Sequence, residues 1–450
     1  MKSLNLSAPH RLDAVNIALM LVSLVLAYVL PFELFLFSYA VLGPLHYLTE
    51  ISWLHQKKYF VGGGGKGNRW FAGIALILGA CITLSNFGDT LWQWLFQSPM
   101  PIRFPEFGTH FIFLAFGAAF VFVLLQGKWQ RILGLGALLL FAVVYPLDQS
   151  KTTLINHEGI EVGGVYVKPR DKYMAITNLT LEMQNGEKQS DVALLLKRQG
   201  PGQWDYVDNP LREMRDLTLP PHTAELSASG ALLSVMDGKG FQFGVAHAAT
   251  GLFFSFFLPT LIHVFLFTGL FMWFGALKSG SSLGLISVGA LFFCGALPFF
   301  WDPGVGNYVV SETARSSYDV SFYDLNVQIL RLFDRMGAVG ETQTLVYSSA
   351  FGVSVTRFIA FAYTYHYLNW FSKTNIIQWH KVPVLNLSVV GLLWLSSVGL
   401  YLWDYQTGLQ ALFFLSFLHV FMEFPLNVQS LLGISKHYMG RFRKREAVVA

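Results

Sequence analysis

Long apolar runs separated by short polar connections dominate this chain. Runs of that length predict helices that cross a membrane rather than core helices of a soluble domain. The pattern places them near residues 14–30, 32–54, 70–87, 109–126, 131–147, 249–275, 281–300, 347–371, 383–403 and 407–427. Pro31 marks a tight turn between the first two, since its ring disfavours helix in the residue before it.

One large polar block, 148–247, interrupts the apolar pattern. Strands are expected in it at Val162–Val167, Tyr173–Met183 and Asp191–Lys197, separated by the turn signals Asn185-Gly186 and Pro201-Gly202. A second polar segment, roughly 301–346, carries an amphipathic stretch at Tyr323–Met336 that predicts a helix lying at an interface. The expected fold class is a polytopic α-helical membrane protein with about ten transmembrane helices. A small β-rich extracytoplasmic domain, in the form of a sandwich, is expected between helices 5 and 6. The expected organisation is helices 1–5 over 1–147, the β-rich domain over 148–247, helices 6–10 over 248–430 and a basic tail over 431–450.

Composition agrees with a membrane setting. The chain is 53% hydrophobic and only 13% charged, about half the charge content usual for soluble domains. Placement of charge says more than the net +4. Lys and Arg recur in alternate connections and in the tail Lys436–Arg445. That asymmetry predicts cytoplasmic N- and C-termini, with 148–247 periplasmic if the membrane is a bacterial inner membrane. Cys81 and Cys294 both lie in apolar runs, so no disulfide framework is expected. The N-terminal segment lacks a cleavage pattern and reads as leading into a retained helix. The glycine run Gly62–Gly67 lacks the Ser or Thr of a phosphate loop and does not follow a strand, so it reads as a flexible connection.

The candidate chemistry lies inside the apolar helices. His46 and Glu50 are four residues apart, as are His419 and Glu423. That spacing puts each pair on one helix face. Ionisable groups in lipid are costly and usually functional. His366 is expected at similar depth with Asn369 one turn on, whereas His263 is expected deeper and joins the group less securely. Imidazole and carboxylate are good ligands for iron, manganese or zinc. His46, Glu50, His366, His419 and Glu423 are therefore candidate ligands for a metal ion, with His263 less strongly indicated. A bland alternative stays open, in which buried His and Glu bond each other and hold helices together. His55, His380 and His437 read as residues at or beyond the membrane boundary. Arg357 faces away from His366 and is either salt-bridged or a substrate-binding residue for an anionic group.

The segment Leu42-Gly-Pro-Leu-His-Tyr-Leu-Thr-Glu50 resembles part of the bacteriorhodopsin-related-protein type of membrane carotene dioxygenase. Tyr365-His366-Tyr367 and Leu418-His419 resemble later histidine-bearing helices of that family. The resemblance covers three helices and departs in spacing, with Glu50 standing where the family has Asp and His. It implies non-haem iron, bound through intramembrane histidines, and oxygenase chemistry.

The expected function is a membrane-embedded metal-dependent oxygenase or other oxidoreductase acting on a lipophilic substrate. Its His/Glu centre would sit in the cytoplasmic half of the bundle. The alternative is a non-enzymatic transporter, ion- or proton-conducting subunit or membrane scaffold whose outer domain binds a protein. Haem, or no cofactor at all, remains an alternative to a metal ion. The bilayer, a lipophilic substrate and a protein partner are the expected partners, with no nucleic acid.

Overall fold

A computed structural model describes residues 8–57, 66–98, 108–125, 127–144, the strand segments between 151 and 245, 253–303, 308–333, 342–373, 378 and 381–449. The strand expected at 162–167, glycines 62–65 and the side chains of His55 and His380 lie outside the described residues.

The chain divides into two compact units. The first, residues 1–144, 254–324 and 353–450, is helical in its described part. Helix α1 spans Ala8–Val29. Helix α2 (Pro31–Phe37) continues through a π-helical segment, Ser38–Leu42, into α3 (Gly43–Lys57). Then come α4 (Lys66–Phe96), α5 (Gly108–Leu124) and α6 (Lys128–Val144). After the second unit's first segment, a long π-helix, Phe253–Phe267, runs into α7 (Thr268–Ser279). Pro259 lies inside that π-helix, where its missing N–H already interrupts α-helical bonding.

Gly280 ends α7 with φ +68°, a left-handed conformation that suits glycine. Ser281 then caps α8 (Ser282–Phe300), accepting a 3.0 Å hydrogen bond from the Gly284 amide and donating one of 2.5 Å to Asp13. The unit continues with α9 (Glu312–Asp319), and the following helix, α10 (Tyr323–Leu332), belongs mostly to the second unit, as does α11 (Thr342–Ser348). Helix α12 (Ala350–Ser372) returns to the first unit, followed by α13 (Val384–Trp403) and α14 (Tyr405–Val449).

The expected fold class is corrected in two respects. Among the described residues six helices, not about ten, are long and apolar enough to cross a membrane: His10–Val29, Pro31–Leu54, Phe257–Ser279, Ser282–Phe300, Val384–Trp403 and Tyr405–Gly440. Within the described residues α4 and α5 contribute the shorter apolar stretches Trp70–Ser85 and His110–Leu124. Helix α12 is heavily buried and carries Arg357, His366 and three tyrosines, so it reads as the bundle's central helix rather than a lipid-facing one.

The second correction concerns the β-rich domain. The segments β1–β9, between Lys151 and Val245, pair in one mixed nine-stranded sheet, not in two packed sheets. Parallel pairing of β3 (Tyr173–Glu182) with β7 (Thr223–Ser227) interrupts the antiparallel order. Strand β3 also pairs antiparallel with β4 (Lys188–Gly200), so the strands form one hydrogen-bonded sheet in place of the expected sandwich. The described members Tyr173 and Leu195 are half-buried and Lys197 is exposed.

In lipid, apolar tails compete equally for apolar side chains, so close packing and hydrogen bonds must join the helices. Phe116 of α5 meets Phe421 and Phe424 of α14 edge-on, with ring centroids 5.1 and 4.6 Å apart. Such pairs contribute about 0.5–1.5 kcal/mol each beyond area burial. The hydroxyls of Ser38 and Thr364 share a 2.7 Å hydrogen bond that joins the π-segment to α12. Large apolar side chains of α13, such as Leu392, Leu395 and Leu402, point outward. Six apolar helices with such outer faces are compatible with a membrane protein.

Candidate metal centre

Four histidines from four separate segments meet inside the helical unit. His46 comes from α3, His263 from the π-helix, His366 from α12 and His419 from α14. All are at least nine-tenths buried. Their rings pack edge to face around a closed circuit. The centroid separations are 4.7 Å for His46–His366, 4.9 Å for His366–His263, 5.2 Å for His263–His419 and 5.3 Å for His419–His46.

The ligand atoms of His46, His366 and His419 lie within 4.8 Å of one another, so this group could hold a metal ion. His46 Nε2 and His366 Nε2 are 3.1 Å apart. Two nitrogens bound to one metal at about 2.0–2.1 Å stand roughly 3.0–3.4 Å apart. A direct His–His hydrogen bond also fits that distance. The polar atoms left over distinguish the two readings. Both ring nitrogens of His263, His46 Nδ1, Glu50 Oε2 and Glu423 Oε2 are buried without a hydrogen bond. Each such atom costs about 1–3 kcal/mol in a closed, dry site. A cation bound among them would satisfy several at once.

The two carboxylates reach different histidines. Glu50 Oε2 lies 3.1 Å from His46 Nε2 on its own helix. Glu423 Oε2 lies 3.4 Å from His263 Nδ1, across to the π-helix. Neither contact has hydrogen-bond geometry, so each carboxylate stands beside an imidazole without fixing it. The repeated His-x-x-x-Glu spacing thus builds one intrahelical and one interhelical contact.

Outer contacts fix the rings. Thr268 Oγ1, the first residue of α7, shares a 2.7 Å hydrogen bond with His366 Nδ1. That contact turns His366 Nε2 towards the other histidines, the usual arrangement behind a metal-bound imidazole. Trp370 Nε1–H donates to Thr49 Oγ1 at 3.0 Å, and its ring packs edge-on against His46 with centroids 5.7 Å apart. Tyr47 covers His419 with ring centroids 5.7 Å apart.

Of the expected residues, His46, His366 and His419 come within ligand distance of one another, Glu50 stands beside His46, Glu423 stands beside His263, and His263 packs ring to ring against His366 and His419. Sequence reasoning missed Lys373. It follows α12 by one residue, and its ammonium sits 4.2 Å from the Phe271 ring centroid, with Glu423 and Glu50 as its electrostatic partners. Its spacing, seven residues after His366, was the available signal. Asn369, one turn beyond His366, is buried with Oδ1 lacking a hydrogen bond. Arg357 stands apart, about 13 Å along α12 from His366. Its Nη1 pairs with Asp302 Oδ1 at 3.1 Å, and its guanidinium lies over the Tyr28 ring at 4.8 Å.

No protein family, no curated protein and no solved structure matches the chain.

Proposed function

We propose that the protein is a membrane-embedded, metal-dependent oxidoreductase, an oxygenase in the first instance, acting on a lipophilic substrate. One observation carries this reading: three histidines within mutual ligand distance, with a fourth against them, converge in a dry interior that leaves their neighbours' polar atoms unsatisfied. His46, His366 and His419 would hold the ion, with His263 closing the ring. A nitrogen-rich site suits ferrous iron among the common transition metals, and open positions on iron support dioxygen chemistry. The partial likeness to membrane carotene dioxygenases points the same way. The surrounding helices are apolar, so a substrate arriving from the bilayer would meet the centre without crossing water. Positive charge in alternate connections supports placing the centre in the cytoplasmic half.

Bound iron would supply dioxygen activation. The chain's own residues supply the rest: Thr268 orients His366, the Trp370 and Tyr47 rings shield His46 and His419, and the aromatic packing excludes water. The test is oxygen uptake by Fe(II)-loaded protein in bilayers containing lipophilic polyenes. Uptake lost in His46→Ala and His366→Ala supports the reading, and no uptake with any apolar substrate counts against it. A Soret band in the purified protein would instead indicate haem.

The charged neighbours Glu50, Glu423 and Lys373 favour a second reading, a proton- or ion-conducting membrane subunit. Proton flux in liposomes that is lost in Glu50→Gln, with no bound metal, would select it.

A further inference from the structure

A row of tyrosines leads away from the histidine ring. Tyr367 packs against both His46 and His366, with ring centroids 5.2 and 5.5 Å apart. Tyr363, one turn earlier on the same face of α12, follows at 6.2 Å. Tyr39 of the π-helical segment comes next at 6.1 Å, then Tyr401 of α13 at 6.4 Å and Tyr405 of α14 at 5.0 Å. Tyr363, Tyr367 and Tyr401 are buried, and Tyr39 and Tyr405 are half-buried. The row ends beside the exposed Asp404, between α13 and α14. Tyr405 opens α14, about 21 Å along the helix from His419.

Packing alone does not call for these hydroxyls. Phenylalanine fills nearly the same volume, and a phenol in an apolar interior is costly unless hydrogen-bonded. The hydrogen bonds between Tyr39 and Ser416 and from Tyr405 to the Leu36 carbonyl are long, at 3.5 and 3.4 Å. What tyrosine has and phenylalanine lacks is a ring that gives up an electron readily. Electron transfer across the whole span in one step is slow, because its rate falls exponentially with distance. Short steps between neighbouring rings avoid that penalty. The oxidisable pair Trp370 and Trp53 also starts at His46 but leads into the buried core.

We propose that Tyr367, Tyr363, Tyr39, Tyr401 and Tyr405 form an electron relay that drains oxidising equivalents from the metal centre when dioxygen reacts there without substrate. This route presupposes the metal reading given above. In each event Tyr405 loses one electron and its phenol proton goes to water at the Asp404 turn, leaving a neutral phenoxyl radical. The electron passes along the row and reduces the dioxygen-derived oxidant at the iron by one equivalent. Each interior tyrosine gives an electron to its inner neighbour and regains one from its outer neighbour, so it ends unchanged. A water-soluble one-electron reductant, with a proton from water, restores Tyr405.

The experiment uses the full chain in detergent, loaded anaerobically with Fe(II), freed of excess ion and counted for iron. Dioxygen is then added without substrate, and frozen samples are read by electron paramagnetic resonance. Wild type should show a tyrosyl radical that ferrocyanide, which cannot enter the bundle, erases. Tyr39→Phe keeps the packing and interrupts the row. It should lose the ferrocyanide-sensitive radical, and peptide mass spectrometry should find more oxidised side chains around His46 and Trp370. Tyr363→Phe should behave alike, whereas Tyr365→Phe, outside the row, should match wild type. Iron-loaded wild type without a tyrosyl radical, or a ferrocyanide-sensitive radical undiminished in both Tyr39→Phe and Tyr363→Phe, overturns the proposal. No iron in wild type overturns the metal reading itself, which the iron count separates from a wrong route.

Discussion

His46 Nε2 and His366 Nε2 stand 3.1 Å apart although 320 residues of chain separate them. Bringing two imidazole nitrogens that close inside an apolar bundle requires a shared proton or a shared ion. The sharing ties α3 to α12, and α12 carries further buried polar groups, from Arg357 to Asn369, through the middle of the helices. The centre is thus also a structural junction.

The hydrogen bond between Thr268 and His366 Nδ1 is the point of that junction most open to mutation. Thr268→Val keeps the shape and removes the hydroxyl. Loss of such an outer contact lowers metal affinity about 10–100-fold. Competitive titration of the variant against a chromophoric chelator measures this, and unchanged affinity would show that the contact does not orient the ring.

Packing next to His263 is equally constrained. A Cβ added at Gly295 of α8 would lie 2.5 Å from the Phe265 ring, two residues from His263. Phe265 also meets Phe358 of α12 edge-on at 5.1 Å and cannot yield freely. Gly295→Val should cost about 1–3 kcal/mol by overpacking. Thermal unfolding in detergent reads the cost, and metal content should fall with it because the π-helix carrying His263 is displaced.

Arg357 provides a control remote from the ring. Removing Asp302, which is about a third exposed, leaves the buried guanidinium against the Tyr28 ring without its carboxylate partner. Asp302→Asn should cost about 1–3 kcal/mol, below the value for a fully buried pair because Asp302 is partly solvated. Metal content should stay unchanged. A parallel loss of metal would place Arg357 in the functional centre.

One effect of pH follows from Asp404. Its carboxylate accepts a 2.7 Å hydrogen bond from the Thr407 amide and caps the start of α14. The side-chain and backbone hydrogen bonds of Thr407 hold its pKa below the usual aspartate value. A group lowered on folding stabilises above its unfolded pKa and loses that contribution as pH falls through the folded one. Asp404→Ala should therefore cost about 0.5–1 kcal/mol at neutral pH. The difference from wild type should close in acid below the aspartate range, as unfolding at a series of pH values would show.

Parts of this arrangement were legible in the sequence. The spacing of His46 and Glu50, and of His419 and Glu423, placed each pair on one helix face, and the apolar surroundings marked them as costly. His263 was undervalued for a geometric reason. Depth along one helix does not say which face a side chain presents, and nothing in the sequence marks Phe253–Phe267 as wound into a π-helix with more residues per turn. In the sequence Lys373 is one more basic residue of a connection, because a basic residue next to a helix end carries no sign of which way it leans. The expected count exceeds the six spanning helices among the described residues by α4, α5, α6 and α12, and α12 is set apart by the polar side chains it buries. The sandwich was expected from alternation alone, and alternation does not specify how strands pair.

The central claim is that His46, His366 and His419 share a metal ion. The direct measurement is the metal content of protein purified without chelator and reloaded anaerobically with Fe(II), set beside His366→Ala treated identically. The account predicts close to one ion per chain in wild type and a loss of most of it in the variant. Less than about 0.1 ion per wild-type chain, where a site of this donor set should fill, would contradict it, as would full occupancy in His366→Ala.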